Sequence, residues 1–178
     1  MDALLVIDMQ RAMLGGAPKL ALPDVIQRIN QLAAMIRRHS GLVVWIQHDG
    51  PPGDSFAPDA PGWHLLPDLD RREGDALVRK RLNDAYAGTD LAAILAQASV
   101  GRVLVTGWAT DFCVDAAVRS SVSQGFDVVA VSDAHTVADR PKLSAAAVID
   151  YHNWLWADLI PSRTIRVAST AELLAEAG

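Results

Sequence analysis

Three side chains far apart in the sequence, Asp8, Lys80 and Cys113, each follow a short apolar run, and together they offer a carboxylate, an ammonium and a thiol. That combination suits nucleophilic catalysis, in which an acid moves protons and sulfur attacks a carbonyl. Cys113 is the single cysteine and stands where a helix is predicted to begin; a helix N-terminus and a nearby cation both favour the reactive thiolate. Taken alone, such a cysteine is more often a small buried apolar side chain. Asp8 follows the apolar stretch Ala3 to Ile7, where a turn or capping role accounts for it as well as a catalytic one. Held desolvated beside a thiol, its carboxyl can act as general base and then as general acid. Lys80 is one of three lysines in a chain with 13 arginines, and Arg79 and Arg81 flank it. A compact ammonium fits a crowded crevice where a planar guanidinium does not, although chance placement is an equal account.

The elements that must bring these residues together are legible as apolar runs of strand length alternating with amphipathic stretches, the pattern of βαβ units. Predicted strands cover Ala3 to Ile7, Leu42 to Ile46, Ala76 to Val78, Val103 to Thr106, Val128 to Val131 and Thr164 to Val167. They lack polar alternation, as strands covered on both faces should. Predicted helices run over Asp24 to His39, through Leu91, Ile94 and Leu95 behind a Thr89 cap, over Phe112 to Gln124, over Pro141 to Trp156, and after Ser169 or Thr170. The expected fold class is α/β: a doubly wound, mainly parallel six-stranded sheet with helices on both faces, in one domain spanning residues 1–178. In such sheets ligands sit outside the carboxyl ends of the strands, which is where Asp8, Lys80 and Cys113 fall. The stretch Asp49 to Gly74, rich in Pro, Gly and Asp, is predicted to be a long loop, and loops of that length are usually functional or disordered.

Composition narrows the function classes. A net charge of −5 argues against a nucleic-acid surface, and no apolar run approaches the roughly 20 residues of a membrane-spanning helix. One cysteine forms no intramolecular disulfide, so a reducing cytoplasm is the expected setting. The N-terminal residues have an acid at position 2 and no basic leader, and the chain is read as soluble and unprocessed.

Three blocks resemble the isochorismatase-like cysteine hydrolases, the superfamily that includes nicotinamidase and N-carbamoylsarcosine amidase. They are Leu5-Val6-Ile7-Asp8-Met9-Gln10, then Lys80 with Asp84-Ala85-Tyr86 and Thr89-Asp90-Leu91, then Gly107-Trp108-Ala109-Thr110-Asp111-Phe112-Cys113-Val114-Asp115. The resemblance implies an Asp8–Lys80–Cys113 triad, a cis peptide at Trp108-Ala109, and an oxyanion hole from the N–H groups of Ala109 and Cys113. It also implies hydrolysis of a small linear or cyclic amide through a thioester on Cys113, and a homo-oligomer, for which Tyr151 to Trp156 could supply an interface. A catalytically silent ligand-binding or scaffold member is the alternative, and a redox-sensing thiol protein is a third, disfavoured by the lack of a resolving cysteine within the chain.

The pattern departs from nicotinamidase at Gln47-His48-Asp49-Gly50, where Gly50 takes the place of a metal ligand, so no metal and no cofactor are expected. An unrelated site built from His48, Asp49 and His64 is weighed against plain hydrogen bonding in the long loop. Isochorismatases proper lack the nucleophilic cysteine, which puts this chain on the amide-hydrolysing side of the resemblance. Met13, Trp63, Tyr86, Trp108 and Phe112 are the expected substrate-binding walls, each also consistent with plain core, and for Phe112 core is the more natural reading. His135 and His152 are read as structural.

Overall fold

Segments of Val, Ile, Leu and Ala form six strands in a computed structural model that describes all 178 residues. They are β1 (Asp2–Ile7), β2 (Leu42–His48), β3 (Ala76–Lys80), β4 (Arg102–Trp108), β5 (Asp127–Thr136) and β6 (Ile165–Ala168). The strand order is β3-β2-β1-β4-β5-β6 and every neighbouring pair is parallel. The chain therefore starts in the middle, winds outward to β3, returns beside β1 as β4 and winds the other way. Its switch point lies between β1 and β4, where such sheets open a crevice at their carboxyl edge.

The helices are α1 (Arg11–Leu14), α2 (Leu22–Arg38), α3 (Leu91–Gln97), α4 (Asp115–Ser123), α5 (Ala145–Ala157) and α6 (Thr170–Ala177). Strand alternation sends Ala3, Leu5 and Ile7 of β1 into a core shared with α3, α4 and α5, while Leu4 and Val6 enter the opposite core with α2 and α6. This two-sided burial is why β1 carries no polar alternation. In α2, Val25, Ile29, Leu32 and Ile36 recur at helical spacing and are buried, and Pro23 lies in its first turn. Helix α6 starts on a capping box, with Ser169 accepting from the Glu172 N–H and Glu172 reaching back to the Ser169 N–H. No helix is long and apolar enough to cross a membrane.

Most strands run further toward the carboxyl edge than their apolar runs. Gln47 and His48 continue β2 by pairing with Arg79 and Lys80 of β3, and β5 reaches Thr136 past a register shift opposite Val105 to Gly107. Ladder bonds are made by the backbone, so polar side chains at a strand end do not stop them. The helix predicted over Pro141 to Trp156 begins only at Ala145, because Ser144 caps it by accepting from the Ala147 N–H. Short α1 was not anticipated; it pairs with the long loop, the N–H groups of Arg11 and Ala12 donating to the carbonyls of His64 and Gly62 at 2.9 Å each.

Candidate active site

Strand order explains how the three candidate residues meet. Asp8 follows β1, the turn holding Cys113 follows the adjacent β4, and Lys80 ends β3, two strands from β1. That separation is roughly 9–10 Å, so only a long side chain crosses β2 to reach Asp8. Asp8 itself has φ 49°, a left-handed conformation uncommon outside glycine, while its N–H still donates to the Ile46 carbonyl at 2.9 Å. Gly107, at φ 116°, lets β4 press against β1: a Cβ there would stand 2.2 Å from the Ile7 carbonyl oxygen. Beyond it the Trp108-Ala109 peptide is cis, and Thr110 to Val114 form one π-helical turn that continues into α4. The Ala109 carbonyl accepts from the N–H groups of Phe112 (3.0 Å) and Val114 (3.1 Å), the residues on either side of Cys113. The helix predicted to start at Phe112 is thus a π turn joined to an α-helix, a local widening that often marks functional sites.

The side chains of Asp8 and Lys80 are fully buried, with Lys80 Nζ 2.7 Å from Asp8 Oδ2. The ammonium donates to the Leu82 carbonyl at 2.9 Å and to Cys113 Sγ at 3.4 Å. The thiol also lies 3.7 Å from Asn83 Oδ1. Asp8 has few donors, none of ideal alignment: Lys80 holds it by charge and close polar contact, and the Cys113 thiol is its other polar neighbour. Burial raises the Asp8 carboxyl above its ordinary range, outweighing the charge and hydrogen bonding of Lys80 and the contact with Cys113. Burial, reinforced by the Asp8 charge, pushes the Cys113 thiol up to about 12, outweighing Lys80. Burial thus works against the thiolate that helix position and a nearby cation favour.

Above this cluster opens a cavity of about 340 Å³ at whose base Cys113 lies. Its apolar walls are Ala12, Met13, Phe56, Trp108 and Phe112, and Asn83 and Arg140 supply polar groups. Met13, Trp108 and Phe112 thus line the cavity, with Phe112 half exposed rather than core. Tyr86 does not. It is buried in the core beside α4, its hydroxyl 2.8 Å from Ser121 Oγ and its ring stacked on Phe126. Trp63 is likewise outside the cavity lining, since its Nε1 donates to Asp49 at 2.9 Å and its carbonyl accepts from Gln10 and Gln47. Both aromatics are claimed by hydrogen bonds that turn them away. Asn83, Phe56 and Arg140 were not anticipated; only Asn83, three residues past Lys80, lay near a motif block.

Asp49 is held by Arg79 at 2.7 Å and by the Trp63 indole, and His64 lies edge-on to Trp63, so this group is a hydrogen-bonded loop anchor. His48 lies near enough to Lys80 and Asp8 to feel both, and burial followed by Lys80 lowers its pKa. His135 is buried, and desolvation lowers it to about 4. Asn153 donates from its amide to the Ser132 carbonyl and so presents Oδ1 to His135 Nε2 at 3.1 Å, which leaves Nδ1 to accept from the Thr110 hydroxyl at 2.8 Å. The first residue of the π turn is thereby tied to β5 and α5.

Residues 2–164 match the isochorismatase domain model. The chain is 38% identical over 143 residues to a streptothricin hydrolase of Streptomyces noursei, covering 79% of this chain and 51% of that protein, so it spans about half that relative's length. It is 25% identical over 182 residues to a ureidoacrylate amidohydrolase of Methylorubrum extorquens, covering 82% of this chain and 73% of that protein. The crystal structure of an isochorismatase-family protein from Chromobacterium violaceum superposes with a TM-score of 0.88 at 28% identity, covering 99% of this chain and 93% of the other.

Proposed function

The chain belongs to the isochorismatase family, and from that membership we propose that it is a cysteine-dependent hydrolase that cleaves a carbon–nitrogen bond of a small amide through a thioester on Cys113. The observation that carries the reading is the buried contact of Lys80 Nζ with both Asp8 (2.7 Å) and the Cys113 sulfur (3.4 Å) at the base of a cavity. Similarity to a ureidoacrylate amidohydrolase and to a streptothricin hydrolase supports the hydrolytic class.

With the thiol pushed up to about 12 and the Asp8 carboxyl raised by burial, proton transfer accompanies attack rather than preceding it. Asp8 takes the thiol proton as sulfur bonds to the substrate carbonyl carbon, and the carbonyl oxygen becomes an oxyanion. Ala109 and Cys113 both line the cavity, and their N–H groups are the donors proposed to receive that oxyanion. Collapse breaks the C–N bond while Asp8 returns its proton to the departing amine, leaving the thioester. Asp8 then takes a proton from water as its oxygen attacks, and collapse expels sulfur, which recovers the proton. Lys80, fixed by the Leu82 carbonyl, holds a positive charge beside both carboxylate and sulfur, so that charge redistributes within a preformed cluster.

The same reading places the protein in the cytoplasm, where a lone thiol stays reduced, and in a homo-oligomer through exposed Tyr151 and Trp154 on α5, which light scattering would register. The deciding experiment incubates the native protein with a panel of small amides, quenches in acid and weighs the intact chain. An acyl mass on the Cys113 peptide, absent from Cys113→Ala along with turnover, is expected. Turnover retained in Cys113→Ala would overturn the proposal.

A further inference from the structure

Apart from the thiol, the cavity above Cys113 has one ionisable group in its walls, Arg140; the rest are apolar side chains, Asn83 and backbone. We propose that Arg140 makes this wall a subsite for an anionic group, so that the favoured substrate is a small amide that also carries a carboxylate; the inference rests on the hydrolase reading above.

The guanidinium is fixed rather than free. Its Nε and Nη2 donate to the two oxygens of Asp111 at 2.8 and 2.7 Å, and its plane lies over the Phe112 ring at 5.2 Å. Those bonds use one edge of the fork and leave Nη1 unengaged by Asp111, so a second carboxylate can be met without breaking the first pair. Lys19 Nζ is held by the carbonyls of Gly15 (2.9 Å) and Ala17 (2.5 Å) and stands 5.2 Å over the ring of Trp108, itself a cavity wall. Burial, and then the charge of Arg140, lowers the Lys19 pKa, and Asp139, whose Oδ1 accepts from the Ala145 N–H, shares the neighbouring groove with Lys19, so Lys19 and Asp139 offset each other outside this cavity. Within the lining of the cavity above Cys113, Arg140 is the one charged side chain and there is no Asp or Glu. An incoming carboxylate gains a charge-assisted hydrogen bond from Arg140 in a partly desolvated wall. A cationic amide of the same size meets the opposite field.

The test uses the full chain with amides matched in length and differing at the far end: succinamate and glutaramate, butanamide and pentanamide, and 4-aminobutanamide. We expect kcat/KM to favour the anionic member of each pair by about 10- to 100-fold, with 4-aminobutanamide the poorest. In Arg140→Met the anionic-to-neutral ratio should fall by at least about tenfold, mainly through KM, and Arg140→Lys should recover part of it. A native preference for neutral or cationic amides, or a ratio unchanged in Arg140→Met whatever the absolute loss, overturns the subsite. Ligand-observed NMR of the same amides with Cys113→Ala separates this inference from the hydrolase reading. Anion-selective binding without an acyl mass on the native protein defeats the hydrolase reading and leaves the subsite standing, whereas binding of none of them, or turnover without preference, defeats the subsite.

Discussion

Asp8 and Asp75 are both buried carboxylates paired with a cation, and they shift in opposite directions. Asp75 accepts from Arg37 Nε (3.0 Å) and Nη2 (2.6 Å), from the Trp45 indole (2.8 Å) and from the Arg72 N–H (2.8 Å). Burial pushes its pKa up, but those donors together outweigh it and hold the group below its ordinary 3.8. Asp8 has Lys80 at 2.7 Å, no well-aligned donor, and a pKa raised above the same 3.8 by burial. A carboxylate saturated with donors anchors structure and resists protonation; one left short of donors beside a thiol is ready to accept a proton. The signs of their stability contributions differ accordingly. Asp75 contributes stability above pH 3.8 that is lost as pH falls through its lowered folded value, whereas the contribution of Asp8 is present below pH 3.8 and is lost as pH rises through its raised folded value.

The strongest way to sharpen that contrast is Asp8→Asn, which keeps the shape and removes the base. Turnover of any amide substrate should fall by about 10²–10⁴ in kcat with KM changing far less, and circular dichroism should still show a folded chain. Asp75→Asn should do the reverse, lowering stability by about 2–3 kcal/mol, or about 5–10 °C in Tm, while kcat/KM below the transition stays within about threefold. If Asp75→Asn lost activity as Asp8→Asn does, donor supply would not be what separates the two roles.

The raised thiol gives a milder test. Alkylation of Cys113 by iodoacetamide should accelerate about tenfold per pH unit from pH 6 to 9 without levelling off, because the thiolate fraction is small and still growing throughout. A plateau reached below pH 8 would mean that a Lys80–thiolate pair already exists at rest, and that proximity to the ammonium outweighs burial at Cys113 as it does not at Asp8.

How far this contrast could be read from sequence depends on what each residue's neighbours are. The six strands and the sheet class were legible because β1, β2 and β4 are covered on both faces and so show unbroken apolar runs. Asp8, Lys80 and Cys113 were legible because each ends or follows such a run, and the topology carries all of them to one edge. The donor supply was not. Arg37 and Asp75 are 38 residues apart and meet only through the long loop, whose lack of periodicity gives no clue to what it contacts. Arg140 was missed for a similar reason, since its partner Asp111 lies 29 residues away across a turn whose π geometry the helical spacing did not reveal. Trp63 and Tyr86 were misplaced because an aromatic beside a motif says nothing about which way its polar atom will be drawn.

Tyr86 offers the smallest test, and one that checks where the reactive region stops. Its hydroxyl and Ser121 Oγ satisfy each other at 2.8 Å in a site so desolvated that the phenol is raised to about 12. Tyr86→Phe removes one hydroxyl and strands the other, fully buried on α4, which should cost about 1–2 kcal/mol of stability. Urea denaturation would show a lower midpoint with an unchanged slope. Because the ring packs on Phe126 and does not line the cavity, kcat and KM for any amide should be unaltered within error. A several-fold rise in KM would mean that the phenol reaches substrate after all, and that the boundary between donor-satisfied core and donor-poor site runs on the far side of Tyr86.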